Sequence, residues 1–305
     1  MAYLPEENTY EAGIYQLELT DKVMGGANGI SNLQGKQLAN RTKYLKSETD
    51  KLETDLAKFY PYLYTGRNLV EVFGVSTAVQ AFAKLKEKSD AGDFSGLGIG
   101  DYINIPSIVI GGNTISYNDT YQNLRAEIVA FDQYYRNGDI DITDHHIIMQ
   151  MKNCPLTHRM NESDDNTGGW ASIECELKTY LSNTVAGAIE DAIGIGLKTI
   201  RRVLSTHDSW NWLAEKCFLP SEVECIGTKA WSDNYGYTVG NCKQWAMFQL
   251  RPDRLIKFYN GVRQWWWTCS DSTSTSTYFV YVNYDGNIDG TSASYDGGVP
   301  FAFAI

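Results

Sequence analysis

Residues 265–290 read WWWTCSDSTSTSTYFVYVNYDGNIDG and combine three local patterns. Eight of the ten residues from Thr268 to Thr277 are Ser or Thr, which is typical of a polar loop. Residues 278–284 then alternate in the manner of a β-strand. The dipeptide Asp285-Gly286 follows and is a strong signal for a tight β-hairpin turn. This part of the chain therefore predicts a strand that turns back on itself at Asp285 and Gly286.

The remainder of the chain predicts helices early and strands late. Apolar residues at helical spacing predict helices at 76–88 and 171–185, with one or two more within 188–203. Short apolar or alternating runs predict strands at 102–105, 107–110, 128–135 and 145–151, and short strands with Gly, Asn and Asp turns follow residue 208. This order in one continuous unit indicates an α+β domain, which we place at residues 61–305.

Residues 36–60 carry a seven-residue apolar repeat that predicts a helix. One apolar residue recurs every seven positions and another joins in the last turn, at Leu38, Leu45, Leu52, Leu56 and Phe59. Such a seam favours a short coiled coil between copies of the chain; an amphipathic helix packed on its own domain is the alternative. Pro61 ends the helix. The Gly- and Asn-rich residues 1–35 predict an extended segment that docks onto another surface.

Charge, hydropathy and cysteine spacing argue against several classes of protein. The 26 Lys and Arg against 37 Asp and Glu give a net charge of −11, which disfavours binding to nucleic-acid phosphates. We find neither a signal peptide at the start, MAYLPEENTYEAGIYQLELT, nor a run near the ~20 apolar residues of a membrane span. We therefore expect synthesis in a cytoplasm and no membrane insertion. The six cysteines form no CxxC pair, so we predict buried thiols and no metal site.

The four histidines offer weak candidates for catalysis. His145 and His146 follow Asp144 but open an apolar strand, in which neighbouring side chains face opposite ways. His158 and His207 have no nucleophile near them in sequence. We therefore predict no catalytic residue, no cofactor and no enzymatic activity.

Two groups of acidic residues have a chemical interpretation besides a solvated turn. Glu162, Asp164 and Asp165 lie in a polar loop, and paired carboxylates are what glycoside hydrolysis requires. Residues 285–290 fit the calcium-loop pattern D-x-N-x-D-G, with Asp296 in place of the final Glu. Because the flanking residues are strand-like, a hairpin turn is the better interpretation of residues 285–290.

The chain after Arg263 has the composition of a binding surface. Residues 264–305 contain no Lys, Arg or His and are rich in Tyr, Trp, Ser, Asn and Gly. Tyr and Trp supply rigid contact area and Ser and Asn supply adaptable hydrogen bonds, a combination found in antigen-binding loops. We therefore predict a ligand face within residues 264–299. A Ser/Thr linker is the alternative, although the dense apolar strand and the final FAFAI do not suit one.

The sequence resembles two parts of bacteriophage tail proteins. The stretch GISNLQGKQLANRTKYLK at 29–46 is similar to N-terminal segments of tail-fibre proteins, in which a "QxLANRTxYLK" phrase precedes a short trimeric coiled coil. Most of residues 66–305 resembles the C-type-lectin-like receptor-binding domains of phage tail proteins, including the variable proteins of diversity-generating retroelements. This second resemblance rests on IGDYINIPSI (99–108), ITDHHIIMQ (142–150), GGWASIECELKTYL (168–181), KCFLPSEVE (216–224), WWWTCS (265–270), VNYDGNI (282–288) and GVPFAFAI (298–305).

The resemblance implies a host-receptor-binding protein of the virion, located at the tip of a phage tail. It implies a homotrimer joined through residues 36–60, attachment to the tail or baseplate through residues 1–35, and a bacterial surface protein or glycan as ligand. Trp265 and Trp267 would belong to the aromatic scaffold. The implied contact positions are Gln264, Trp266, Thr268, Ser270, Asp271, Ser272, Ser274, Ser276, Tyr278, Asn283, Tyr284, Asn287, Asp289, Ser292 and Tyr295. Related domains often read GVRP near the end, whereas this chain has Gly298-Val299-Pro300.

Three other functions are alternatives to receptor binding. A tail-associated glycan hydrolase would use Asp164 and Asp165. The lectin-like fold also occurs in formylglycine-generating oxidases, which need a cysteine pair, and Cys242 with Cys269 is the candidate pair here. A structural tail or baseplate protein would need no ligand face at all.

Overall fold

The computed structural model describes residues 3–140, 142–172, 174–205, 210–232 and 243–305, so that His207 and Cys242 lie outside the described residues. The chain forms two compact units, one ending at Phe59 and the other covering Tyr60–Ile305. From the sequence we predict this boundary between residues 60 and 61, which is one residue later than in the structure. None of the helices in the described ranges is long and apolar enough to cross a membrane.

The first unit is a long helix with an extended segment laid along it. Helix α1 spans Leu33–Ala57. Asn40 is 2 % exposed and ties residues 6–15 to the helix, because its Oδ1 accepts from Glu7 N and its Nδ2 donates to Glu11 Oε1, both at 2.7 Å. Further hydrogen bonds join Lys43 to Glu6, Arg41 to Glu11 and Gln37 to Tyr15. The segment therefore runs antiparallel to α1, and the predicted docking surface of residues 6–15 is the helix itself.

The apolar seam faces away from this segment. Leu38 and Asn40 are two positions apart, which corresponds to about 200° around a helix. Every seam side chain is more than half exposed, with values of 53 % for Leu38, 56 % for Leu45, 70 % for Leu52, 51 % for Leu56 and 61 % for Phe59. Thr42 and Thr49, which lie between the leucines, donate their hydroxyls back to the carbonyls of Leu38 and Leu45 at 2.9 and 3.0 Å. The predicted helix is present, and the coiled coil stays a prediction.

The second unit is built on two five-stranded sheets. Its strands are β1 Tyr102–Asn104, β2 Ser107–Ile110, β3 Asn113–Ser116, β4 Arg125–Phe131, β5 Ile147–Met151, β6 Thr157–His158, β7 Ile200–Ser205, β8 Trp210–Glu215, β9 Cys217–Phe218, β10 Lys257–Tyr259, β11 Val262–Gln264, β12 Trp266–Asp271, β13 Tyr278–Val282, β14 Ile288–Ser292, β15 Gly297–Gly298 and β16 Ala302–Ala304. The first sheet has the antiparallel order β1-β4-β5-β16-β9. The second has the order β14-β13-β12-β15-β6, in which the β12–β15 pair is parallel and the others are antiparallel. Strands β2–β3, β7–β8 and β10–β11 form separate hairpins.

Short helices connect and cover these sheets. They are α2 Leu69–Val72, α3 Ala78–Ala91, α4 Glu176–Tyr180, α5 Ala186–Ile193, α6 Glu222–Ile226 and α7 Ala246–Leu250, with a π-helical turn at Leu181–Val185 between α4 and α5. Capping boxes open α3 at Thr77 and α6 at Ser221, where the cap hydroxyl accepts from the amide three residues on. The unit is thus a mixture of helices and mostly antiparallel sheets, as an α+β fold requires.

The buried apolar side chains of both sheets and the helices form one core. Its largest fully buried members include Trp170, Trp245, Trp266 and Trp267. Strand β5 is buried along its whole length, which confirms the predicted buried strand. The five described cysteines are also buried, as predicted, at Cys154, Cys175, Cys217, Cys225 and Cys269.

Several predicted elements are wrong in part. The helix predicted at 171–185 begins at Glu176, and the stretch after residue 208 contains α6 and α7 as well as strands. The helix predicted within 188–203 ends at Ile193, because Gly194 adopts φ 72° and caps it, and the chain then forms β7, which pairs with β8. The strand predicted at 128–135 begins three residues earlier and ends at Phe131. Asp132 has a φ of 48°, which turns the chain out of the sheet.

Candidate ligand-binding face

The middle strand of the second sheet, β12, is buried along its whole length. It pairs with β13 and β15 on its two edges, and α6 packs against it. Trp266 Nε1 donates to Leu255 O at 2.8 Å inside the domain. This burial corrects the implied role of residues of this strand as exposed ligand contacts. The predicted contact residues that lie in the interior are Trp266, Thr268, Ser270, Asp271 and Ser272.

The hydroxyls of β12 satisfy backbone groups within the domain. Thr268 Oγ1 donates to Val280 O at 2.8 Å, and Ser270 Oγ accepts from Glu222 N at 2.9 Å. Buried polar groups with such partners cost little free energy, so Ser and Thr can occupy a core strand. The hydroxyls of Thr268 and Ser270, which the composition assigns to a binding surface, therefore lie inside the domain.

An aromatic cluster lies on the opposite face of the same sheet. The rings of Trp265 and Trp267 meet edge to face with centroids 4.9 Å apart, and the Tyr281 ring lies 5.1 Å from that of Trp265. Trp267 Nε1 donates to His158 O at 3.0 Å. Trp265 and Trp267, the two residues implied to be scaffold, therefore pack against each other and near Tyr281 of β13.

Asn166 holds the Ser/Thr loop, residues 272–277, against the domain. Its Nδ2 lies 2.9, 2.8 and 2.6 Å from the carbonyl oxygens of Ser272, Thr275 and Tyr278, and its own backbone N–H donates to Ser276 O at 2.8 Å. Asn166 is 1 % exposed, so these contacts are shielded from water. The loop is therefore bound to the domain, unlike a free linker. Its exposed residues are Thr273, Ser274 and Ser276.

Trp231 reaches this loop from a distant part of the sequence. Its carbonyl oxygen accepts from Thr273 N at 3.1 Å. A Cβ added to Gly290 would lie 3.7 Å from the Trp231 ring, so the ring covers the strand at that position. Trp231 is 38 % exposed and was not among the predicted contact residues.

The carboxylate of Glu222 fixes the segment that presents Trp231. Glu222 Oε1 accepts from Ala230 N at 3.0 Å and from Trp231 N at 2.9 Å, and Oε2 accepts from the N and Oγ of Ser232 at 2.9 and 2.5 Å. Glu222 is fully buried, and the four hydrogen bonds compensate for the loss of water around its charge. The sequence signal here is the S-x-x-E capping box at Ser221, which marks the start of α6 but not this contact.

The rings of Trp231 and Tyr278 and several hydroxyls form one surface. Tyr278 pairs with Ser292 across β13 and β14, and its ring would lie 3.5 Å from a Cβ at Gly290. Both rings therefore lie within van der Waals distance of a Cβ placed at Gly290. We name this surface the recognition face, and it consists of Trp231, Ser274, Ser276, Tyr278, Gly290 and Ser292.

The predicted hairpin turn is present, at the other end of β13. Asn283 Oδ1 accepts from Asp285 N at 2.9 Å and from Asn287 N at 3.0 Å, and Gly286 has a φ of 87°. Tyr284 is 50 % exposed at this turn. Strands rise about 3.4 Å per residue, so Tyr284 lies roughly 20 Å from Tyr278. Residues 285–290 thus form a turn and the start of β14, as the hairpin interpretation predicts.

The remaining predicted contact residues fall into different places. Gln264 is partly buried and donates its side chain to Trp265 O at 3.0 Å, and Asp289 is partly buried 3.5 Å from the Tyr281 hydroxyl. Tyr295 is 57 % exposed. The structure therefore separates the fifteen predicted residues into an interior group, the recognition face and the hairpin turn. Gln264, Asp289 and Tyr295 belong to none of these three groups.

Asp164, Asp165 and Cys269 are the residues of the enzymatic alternatives whose surroundings the described ranges give. Hydrogen bonds from the hydroxyl of Ser294 and, to a smaller extent, from its backbone N–H at 3.1 Å lower the pKa of the Asp164 carboxyl. Asp165 accepts from Thr167 N at 2.7 Å, which likewise lowers the pKa of that carboxyl. A glycosidase acid needs the opposite shift. Cys269 is buried in β12, and its proposed partner Cys242 is outside the described residues.

His145 and His146 make structural contacts in the bend before β5. His146 is 1 % exposed, its Nε2 accepts from Tyr134 N at 3.0 Å, and burial lowers its pKa. His145 Nδ1 lies 2.6 Å from Asp132 Oδ2. Of these two neighbours, His146 is therefore buried and His145 is partly exposed, as side chains that face opposite ways should be.

Comparison with known proteins identifies one family. The family described as "Domain of unknown function (DUF6273)" matches residues 138–305, just over half of the chain, and this range contains the whole recognition face. No curated protein and no solved structure matches the chain. The chain therefore belongs to the DUF6273 family.

Proposed function

We propose that this chain is a receptor-binding protein of a phage tail, a non-enzymatic adhesin with a C-type-lectin-like domain that recognises a bacterial surface ligand. The observation that carries the proposal is the recognition face. The rings of Trp231 and Tyr278 both lie close to Gly290, and the serine-rich loop beside Tyr278 is fixed to the domain by Asn166. Aromatic anchors among short polar side chains bind many partners, and a preformed surface loses little entropy on binding.

The first unit supports assembly of several copies in the virion. The exposed stripe of Leu38, Leu45 and Leu52 lies opposite the segment 6–15, so it is open to another helix along its length. We propose a homotrimer through this stripe, with residues 1–35 facing the tail or baseplate. Weak individual ligand sites then gain avidity when three engage one cell surface.

The charge of the recognition face fits a neutral ligand better than a nucleic acid. Its six residues carry no charge, and residues 264–305 contain no Lys, Arg or His. Rings and hydroxyls pack equally well on a protein surface or a sugar, so both ligand classes belong to the proposal.

Binding to whole cells tests the proposal. Fluorescently labelled protein is screened against intact bacteria of many strains, and binding strains are retested with the double variant Trp231→Ala, Tyr278→Ala. We expect the double variant to bind at least about tenfold more weakly, since central aromatic residues each contribute about 2 kcal/mol or more. Tyr284→Ala is the matched control, because this tyrosine is also half exposed but lies at the hairpin turn.

Two results would contradict the proposal. Unchanged binding by the folded double variant would exclude the recognition face. Release of new reducing ends from capsule or cell-wall polysaccharide by the purified protein would favour the glycan-hydrolase alternative instead.

A further inference from the structure

A pocket of about 530 Å³ lies on the second unit, outside the recognition face. One wall comes from the loop before β4 and the residues after β5, and the other comes from residues 253–263, which include the β10–β11 hairpin. Its volume falls within the range of small-molecule sites. Three cations, Lys152, Arg254 and Arg263, line it together with one carboxylate, Asp253.

Arg254 places a guanidinium charge at the wall of this pocket. Its Nη2 donates to the Tyr64 hydroxyl at 2.8 Å and lies 3.3 Å from Glu127 Oε1. Its Nε is buried and does not face the pocket. The contacts with Tyr64 and Glu127 therefore fix the guanidinium at the wall.

Lys152 supplies a further positive charge at this pocket, and the carboxylate of Glu127 acts on it from beyond ion-pair distance. Among the described residues no carboxylate lies within ion-pair distance of its amine, which instead donates to the Gln122 side chain. Burial lowers the pKa of this lysine, an effect that a bound anion would reverse. The single acid of the lining, Asp253, is already occupied by two hydrogen bonds of 2.8 Å from Arg251.

Two aromatic residues also line the pocket. Tyr121 belongs to the wall before β4, and Phe258 belongs to the wall formed by residues 253–263. A Cβ on Gly261 would lie 2.7 Å from the Tyr121 ring, so only glycine lets the β10–β11 turn approach this ring so closely. Gln122, which contacts Lys152, holds a left-handed φ of 49° that is unusual outside glycine and often found at binding sites.

We propose that this pocket binds a small anion, a carboxylate or phosphate group carried on a ring such as an acidic sugar. Lys152 and the guanidinium of Arg254 hold the charged group, and Tyr121 and Phe258 contact the ring. Arg supplies directional donors that match carboxylate and phosphate oxygens, and Lys adds a point charge. The inference is independent of the proposed adhesin role, because it involves none of the residues of the recognition face.

Calorimetry with the full chain tests this site. Glucuronate and glucose 6-phosphate are the anionic probes, and glucose is the neutral control with the same ring. We expect binding of at least one anionic probe, weakening as salt rises, and no binding of glucose. Lys152→Met should weaken the anion by about tenfold or more, as expected for the loss of one charge-assisted hydrogen bond.

The controls separate charge at the pocket from charge elsewhere. Lys84→Met removes the same charge from an exposed position that does not line the pocket, and it should bind the anion like the natural chain. Arg263→Gln provides a second variant at an exposed lining residue and should weaken binding by a smaller factor. Equal heats for glucose and both anions, or natural affinity in Lys152→Met, would overturn the proposal.

Discussion

Replacing Glu222 with Gln tests how the segment that presents Trp231 is held. The natural carboxylate accepts from the backbone N–H groups of Ala230, Trp231 and Ser232 and from the Ser232 hydroxyl. Gln has the same size, but an NH₂ group replaces one of the two acceptor oxygens. At least one of these backbone N–H groups therefore loses its acceptor at a buried position.

The magnitude follows from the number and kind of hydrogen bonds. An unsatisfied buried N–H costs about 1–3 kcal/mol, and the bonds that lose a charged acceptor weaken by roughly 1 kcal/mol each. A neutral amide costs less to bury than a carboxylate, which offsets part of this loss. We expect a net destabilisation of about 2 kcal/mol, which corresponds to a fall in Tm of about 4–8 °C for a domain of this size.

Calorimetry and amide hydrogen exchange measure this effect. Tm should fall in Glu222→Gln, and peptides that contain Ala230 and Trp231 should exchange faster than in the natural chain. Glu174→Gln is the control, because Glu174 is exposed and should change stability by less than about 0.5 kcal/mol. If Glu222→Gln melts like Glu174→Gln and the same peptides exchange at the natural rate, the carboxylate does not hold this segment.

Two further predictions concern assembly and pH. Changing Leu45 and Leu52 to Ser should convert the assembled protein to monomer in sedimentation experiments without lowering the Tm of the second unit, whereas assembly that survives would exclude the seam. Burial lowers the pKa of His146 from 6.5, so the unfolded chain takes up a proton near pH 6.5 that the folded chain does not. Stability should therefore fall as pH drops below about 6.5, and urea unfolding of His146→Gln should show a smaller fall; equal falls in both proteins would refute this assignment.

Local patterns were enough to predict elements whose structure depends on local chemistry. The β13–β14 hairpin follows from strand alternation, from Gly286 and from Asn283, whose side chain closes the turn on its own backbone. The helix α1 and its exposed leucines follow from the seven-residue repeat in the same way. Gly194 carries a local signal too, because a glycine after a helical run favours the end of the helix at that point.

Burial of β12 could not be predicted from local sequence. Whether Thr268 and Ser270 face water depends on β15, which is about thirty residues later in the chain, and on α6, which is more than forty residues earlier. Their hydroxyls bond to backbone groups, so residue type says nothing about exposure at these positions. Trp231 was missed for the same reason, because it reaches the face through a contact with Thr273, which is about forty residues later in the chain.

The two ends of the β13–β14 hairpin differ in charge. The recognition face lies at the Tyr278 end of this hairpin and has no charged side chain. At the other end, Arg263 Nη1 lies 3.0 Å from Asp285 Oδ1 and also lines the cationic pocket. One hairpin therefore connects a neutral aromatic surface with a positively charged pocket, roughly 20 Å away by strand length.

This separation allows the two proposed sites to be tested in one experiment. Trp231→Ala should weaken binding to bacterial cells and leave glucuronate binding unchanged. Lys152→Met should weaken glucuronate binding and leave cell binding unchanged, because sites this far apart without shared contacts act independently. If both variants lose cell binding to the same extent, the cell-surface ligand extends along the whole hairpin and carries an acidic group into the pocket. The cell-surface ligand would then be an acidic glycan, since a neutral one gives Lys152 nothing to bind.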